Sequence, residues 1–185
     1  MARVTQLSLP AWNFSRKLAF GGSNLKSNPK TARPIALKAA MHLIMRSSFA
    51  TGSRSFLNRA DGIAAVIELQ ARRFGIRVYD LANAGNHLHL VIKVPSRRAF
   101  RGFLRAVTGL IARKVLGAER GSAWRGAKFW DARPFTRIVA WGRDYTQLRN
   151  YLFLNRVEAI GFDRLSAKVL VARDEVVGAG RKDSS

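Results

Sequence analysis

No cysteine occurs anywhere in the 185 residues of this sequence, which excludes disulfides and thiolate metal sites. No apolar run approaches the roughly 18 residues of a membrane-spanning helix, so no membrane span is expected. The apolar part of 1–10 is too short to read as a secretory leader, and neither end carries a lipidation motif. Acid is the other scarcity. There are 11 Asp and Glu against 33 Lys and Arg, a formal net charge of +22. That excess is far more than solubility requires and implies a polyanionic partner, nucleic acid first. Between Met1 and Ala60 there is no acidic residue at all, while Arg3, Arg16, Lys17, Lys26, Lys30, Arg33, Lys38, Arg46, Arg54 and Arg59 are cationic.

What is present suffices for a core: 48% of the residues are hydrophobic, and the length suits one domain rather than two. Residues 1–34 read as a basic flexible arm, 35–162 as the folded domain, and 163–185 as a tail of a short helix followed by disorder. The FGGSNLKSNPKTARP part of the arm is rich in Gly, Ser, Asn, Pro and Lys and cannot bury enough apolar surface to fold alone. Such arms hold phosphates without reading base sequence, or simply solubilise.

Ala40–Arg46, AMHLIMR, reads as the first strand, bounded by Pro34 upstream and a Ser pair downstream. Asp61 opens a helix to about Phe74, with Ile63, Ile67, Ala71 and Phe74 at helical spacing and Gly75 placed to end it. Ile76–Leu81 alternates like a strand, and His87–Lys93, HLHLVIK, is the most strand-like stretch in the chain. Pro95 and Ser96 open a second helix to about Leu116, with Phe100, Leu104, Val107, Ile111 and Val115 as its apolar stripe. Its other face carries Arg98, Arg101, Arg105 and Arg113, either a solvated face or a track for phosphates. A basic, aromatic loop over 117–133 holds Trp124, Phe129 and Trp130, each a core residue or a platform for unpaired bases. Phe135–Trp141 reads as a fourth strand and Asp144–Ala159 as a third helix. This order predicts an α+β, ferredoxin-like fold: an antiparallel or mixed sheet with its helices on one face, the other left open for a site.

Side chains in a strand alternate, so His87 and His89 project from one face while Leu88, Leu90 and Ile92 project from the other. Two imidazoles so placed can share a divalent ion, although alternating strands also produce such pairs without function. His42, alone on the first strand, reads as structural. Of the three tyrosines, Tyr79, Tyr145 and Tyr151, the last lies in YLFLN, which puts Asn155 one helical turn on and on the same face. A phenol and an amide so arranged suit a metal-bound phosphate; the plainer reading is a helix that buries Tyr151 beside Leu152.

Asn86-His87-Leu88-His89-Leu90 resembles the NHxHL strand of the HUH transposases, and Tyr151 with Asn155 is similar to the YxxxN helix of their REP-associated tyrosine transposase branch. RPIALKAAMHLIMRS, FWDARPFTRIV and NRVEAIGF agree in order, so the resemblance spans about Arg33 to Phe162. The chain departs from the branch at Arg156-Val157-Glu158, where many members carry Pro-Val-Arg, and at Ala84-Gly85, where Met-Pro is common. The resemblance implies a metal-dependent cut and transfer of single-stranded DNA, often at a hairpin. In that mechanism Tyr151 is the nucleophile and His87, His89 and Asn155 hold magnesium or manganese. Arg98, Arg101, Arg105, Arg113 and Trp124 would then contact DNA, in a monomer or homodimer acting in the bacterial cytoplasm at the nucleoid. Three other readings stay open: a replication initiator or relaxase of the wider HUH group, a domesticated protein that binds DNA hairpins without transposing, and a non-catalytic RNA-binding domain. The last would carry aromatics where His87 and His89 stand.

Overall fold

The structure, a computed structural model, describes residues 18–25, 29, 31–118, 128–163, 165, 166 and 169. Its strands are β1 (Ala19–Phe20), β2 (Ala40–Arg46), β3 (Arg77–Asn83), β4 (His87–Lys93) and β5 (Phe135–Val139). Its helices are α1 (Ala60–Phe74), α2 (Arg97–Leu116) and α3 (Arg143–Ala159). The strands form one antiparallel sheet in the order β1-β5-β2-β4-β3. Setting the short edge strand β1 aside, the order β5-β2-β4-β3 and the sequence βαββαβ are the ferredoxin-like arrangement.

Local chemistry explains the element boundaries. The Ser96 hydroxyl accepts from the Ala99 N–H and caps α2, and α1 stops at Gly75, whose left-handed φ of 63° lets its N–H close on Ala71 and Arg72. β3 starts one residue later than expected because the Ile76 N–H is taken by Ala71 at the helix end. β5 stops at Val139 rather than Trp141 because the Asp144 carboxylate captures the Ala140 N–H. β1, inside the basic arm, had no sequence signal of its own: two residues gain their pairing only from β5. Gly21 makes that contact possible, since a Cβ there would lie 2.2 Å from the Pro134 carbonyl oxygen.

The sheet has two different faces. Met41, Leu43, Met45, Leu88, Leu90 and Ile92 pack with Ile63 and Ile67 of α1 and with Phe100, Phe103, Val107, Ile111 and Val115 of α2. On the other face Ala40, Ala82, Val91 and Val139 meet Leu148, Tyr151 and Leu152 of α3. The antiparallel sheet and α+β class agree with the sequence reading, but the placing of all helices on one face does not: α3 crosses the face expected to stay open. The reason lies in side-chain size. Small Ala and Val side chains on that face leave room for a helix, and the stripe Leu148, Tyr151, Leu152 gives it something to bury.

Ion pairs near both of its ends hold α3 in place. Arg137 of β5, itself only 2% exposed, is bridged by both carboxylate oxygens of Asp144 at 2.9 and 3.0 Å. Near the other end, Arg156 pairs with Asp80 of β3. A bulge between Val78 and Asp80 shifts the register there, and Tyr79 also packs on the α3 side.

Candidate active site

β4 lies between β2 and β3, and its alternation sets Leu88, Leu90 and Ile92 into the α1/α2 core while His87 and His89 take the α3 face. The His87 and His89 rings stand edge to face with centroids 4.7 Å apart. α3 then sets Tyr151 edge to face against His89, with ring centroids 5.7 Å apart. The structure therefore brings together the three side chains singled out on two distant segments. Asn155 follows one turn later on the same buried side of α3, and its Nδ2 donates to the Tyr151 carbonyl at 2.7 Å. With the amide nitrogen committed inside the helix, its oxygen is the atom suited to ligate.

One strand histidine, His87, is held in a definite tautomer. The Nδ1–H of His87 donates to the Asn86 side-chain oxygen at 2.7 Å, which makes Nε2 the lone-pair nitrogen. Nδ1 of His89 lies 3.0 Å from Nε2 of His42, and the two rings are nearly parallel with centroids 5.2 Å apart. Nε2 of His89 is buried without a hydrogen-bond partner. Burial, with Arg46 nearby, pushes the His87 imidazole down to about 4, and burial with Arg137 nearby pushes His42 down to about 3. Burial and the neighbouring histidines hold His89 well below the usual range. All three are thus neutral at ordinary pH, the form that binds metals.

Among the described residues, no three His, Cys, Asp or Glu side chains group as a metal site. The side chains that could offer donors there are two neutral imidazoles, one with an orphaned buried nitrogen, and the Asn155 amide. Its surroundings are enclosed. Tyr151, His89 and Asn155 are buried and His87 is half-buried, so the cluster meets solvent at the His87 edge.

Other expected site residues are placed elsewhere. Arg98, Arg101, Arg105 and Arg113 are exposed on α2, which covers the sheet face opposite the histidines. Trp124 lies outside the described residues. Phe129 and Trp130 belong to the α1/α2 core, where Trp130 packs 5.9 Å from Phe56 and donates to the Thr108 carbonyl. His42, read from sequence as structural, is the third imidazole of the cluster. Its alternation within AMHLIMR fixed which residues share its face, but nothing in the sequence said that β2 would lie beside β4.

No family model matches the chain, and no curated protein matches it. Among solved structures, it is similar to a REP-associated tyrosine transposase bound to a REP hairpin, at 14% identity and a TM-score of 0.54, over 70% of this chain and 73% of that one. The chain shares the fold of that transposase. A candidate transposase from Deinococcus radiodurans aligns at 20% identity over 67% of this chain and 95% of that one, with a TM-score of 0.45. The likeness to the REP-associated tyrosine transposase is one of fold. No helix among the described residues is long and apolar enough to cross a membrane.

Proposed function

We propose that the chain is a metal-dependent endonuclease and strand transferase for single-stranded DNA, of transposase type, with Tyr151 as nucleophile and with its sites beside DNA hairpins. One observation carries this reading. Nδ1 of each strand histidine is engaged, by Asn86 and by His42, so both Nε2 atoms are left for one ion beside the Tyr151 ring. His87, His89 and the Asn155 amide oxygen would hold magnesium or manganese, and the bound ion supplies Lewis acidity at the scissile phosphate.

Tyr151 does the covalent chemistry. Its phenolic oxygen forms a bond to phosphorus as the P–O3′ bond breaks, leaving a 5′-phosphotyrosine and a 3′ oxygen that takes up the proton the phenol gives to solvent. Attack by another 3′ hydroxyl reverses the step and joins strands without a nucleotide cofactor. α3 fixes the direction of the phenol through its two ion pairs, Asp144–Arg137 and Arg156–Asp80, so that little reorientation is needed when the phosphate arrives. The phosphate enters at the half-buried His87 edge.

The structural relative is bound to a REP hairpin, and a hairpin with an unpaired flank is the partner proposed for this chain. The net charge of +22 suits it, and every phosphate contact made by the basic arm or by Arg98, Arg101, Arg105 and Arg113 adds salt dependence. Since α2 lies behind the sheet, its arginines would act on a distal part of the DNA; Trp124 would stack on an unpaired base.

The test is incubation of labelled hairpin DNA carrying a single-stranded flank with the protein and Mn²⁺, followed by denaturing electrophoresis. The wild-type protein gives a covalent adduct, whereas Tyr151→Phe gives none and still binds the DNA. An adduct formed by Tyr151→Phe would transfer the role to Tyr145. No adduct from the wild type on any hairpin tested would remove the enzymatic reading.

A further inference from the structure

We propose that His42 is a positioning residue: it accepts the Nδ1–H of His89 and thereby holds His89 in the tautomer whose Nε2 can ligate a metal. This inference rests on the metal site proposed above and names the residue that prepares one of its ligands.

The geometry is specific. His42 is fully buried on β2, its Nε2 is 3.0 Å from Nδ1 of His89, and the two ring planes lie within 19° of parallel, which suits an N–H···N bond between ring edges. A neutral imidazole has one N–H and one lone pair, so two proton arrangements satisfy this contact. In the first, His42 donates from Nε2, and His89 must carry its own proton on Nε2, where it has no acceptor and cannot ligate. In the second, His89 donates from Nδ1, and its Nε2 presents a lone pair.

Nδ1 of His42 is also buried without a partner. Each arrangement therefore strands one N–H and one lone pair, and the protein alone has little reason to prefer either. A cation at Nε2 of His89 breaks the tie, because only the second arrangement offers it a lone pair. His87 has the same design by other means: its Nδ1–H is fixed by the Asn86 side-chain oxygen. Metal-bound histidines ordinarily give their second N–H to a carboxylate, carbonyl or water. Here a second imidazole stands in that place, with Arg137 directly across from His42 on β5.

The experiment is a calorimetric titration of Mn²⁺ into wild-type protein, His42→Leu and His42→Gln, with the nitrogen NMR spectrum of the Mg²⁺-loaded wild type recorded beside it. His42→Leu is expected to weaken metal binding by about 10–100-fold, the usual effect of removing such an outer partner. His42→Gln, which returns an oxygen acceptor at a similar reach, restores most of the affinity. In the loaded wild type, His89 carries its proton on Nδ1, and with only three histidines in the chain the spectrum can be assigned.

Equal Mn²⁺ affinity in folded His42→Leu overturns the inference and leaves the proposed function standing. A His89 proton on Nε2 in the loaded protein overturns it too, and this measurement decides the matter even if His42→Leu does not fold. Wild-type protein that binds no divalent ion removes the metal site itself, and with it this role for His42.

Discussion

On the side of the sheet covered by α1 and α2, β2 and β4 present Met41, Leu43, Met45, Leu88, Leu90 and Ile92, each at most 1% exposed and all apolar. On the side covered by α3 the same two strands present Ala40, His42, His87, His89 and Val91, with Arg137 alongside on β5. One face gains stability from area removed from water and close packing. The other buries imidazoles and a guanidinium, whose desolvation is offset by hydrogen bonds, by the Asp144 pair and, in the proposed function, by a bound metal. A sheet that separates the two tasks can carry a costly polar cluster because its other face carries the fold.

That contrast can be broken at either face. The largest effect is expected from His89→Ala, which should remove covalent adduct formation and its dependence on divalent ions while DNA binding persists. Electrophoresis of the adduct and a binding titration would check it, and an active variant would exclude His89 as a ligand. Phe103→Ala, at a fully buried position on the scaffold face, should cost about 3–5 kcal/mol, read from urea unfolding. Adduct yield per folded molecule should not change; a selective loss of chemistry would show that the two faces are not separate.

Acid should act through the polar face. His42 and His87 are pushed down to about 3 and about 4, and His89 lies well below its ordinary value, so all three stay neutral in the fold. The unfolded chain takes up those protons near ~6.5. Stability of the metal-free protein is therefore complete above that pH and declines as pH falls toward 4, with a limiting slope of about 1.4 kcal/mol per pH unit for each histidine. A midpoint temperature that stays level from pH 7 to pH 4.5 would contradict this, and His87→Gln should flatten the decline. The smallest effect belongs to Arg101→Ala on the exposed side of α2. Its stability should stay within about 0.5 kcal/mol of the parent, while the salt slope for DNA falls by about one. An unchanged slope would mark that helix face as merely solvated.

Much of the frame was legible because its signals are local. HLHLVIK alternates apolar and polar residues, and its strand runs from His87 to Lys93 as read. Gly75 stops α1 because the left-handed turn there suits a residue without a Cβ. Less legible were features made by distant partners. β1 has two residues and no pattern, and it exists through its pairing with β5. Phe129 and Trp130 could be read from sequence as core residues or stacking platforms, and the pairing of Trp130 with the Thr108 carbonyl commits it to the core. Arg156, a departure from the resembled motif, gained its meaning only opposite Asp80.

The sequence by itself determined which residues share a face, since side-chain alternation in strands and the 3.6-residue turn of helices are properties of the local backbone. Thus His87 was bound to accompany His89, and Tyr151 to accompany Asn155. Only the tertiary structure decided that α3 would cross the histidine face and that β2 would lie next to β4, setting His42 against His89. Strand order and helix docking depend on non-local pairing and on the sizes of surfaces contributed by segments far apart in sequence, and no local pattern in the chain encodes them.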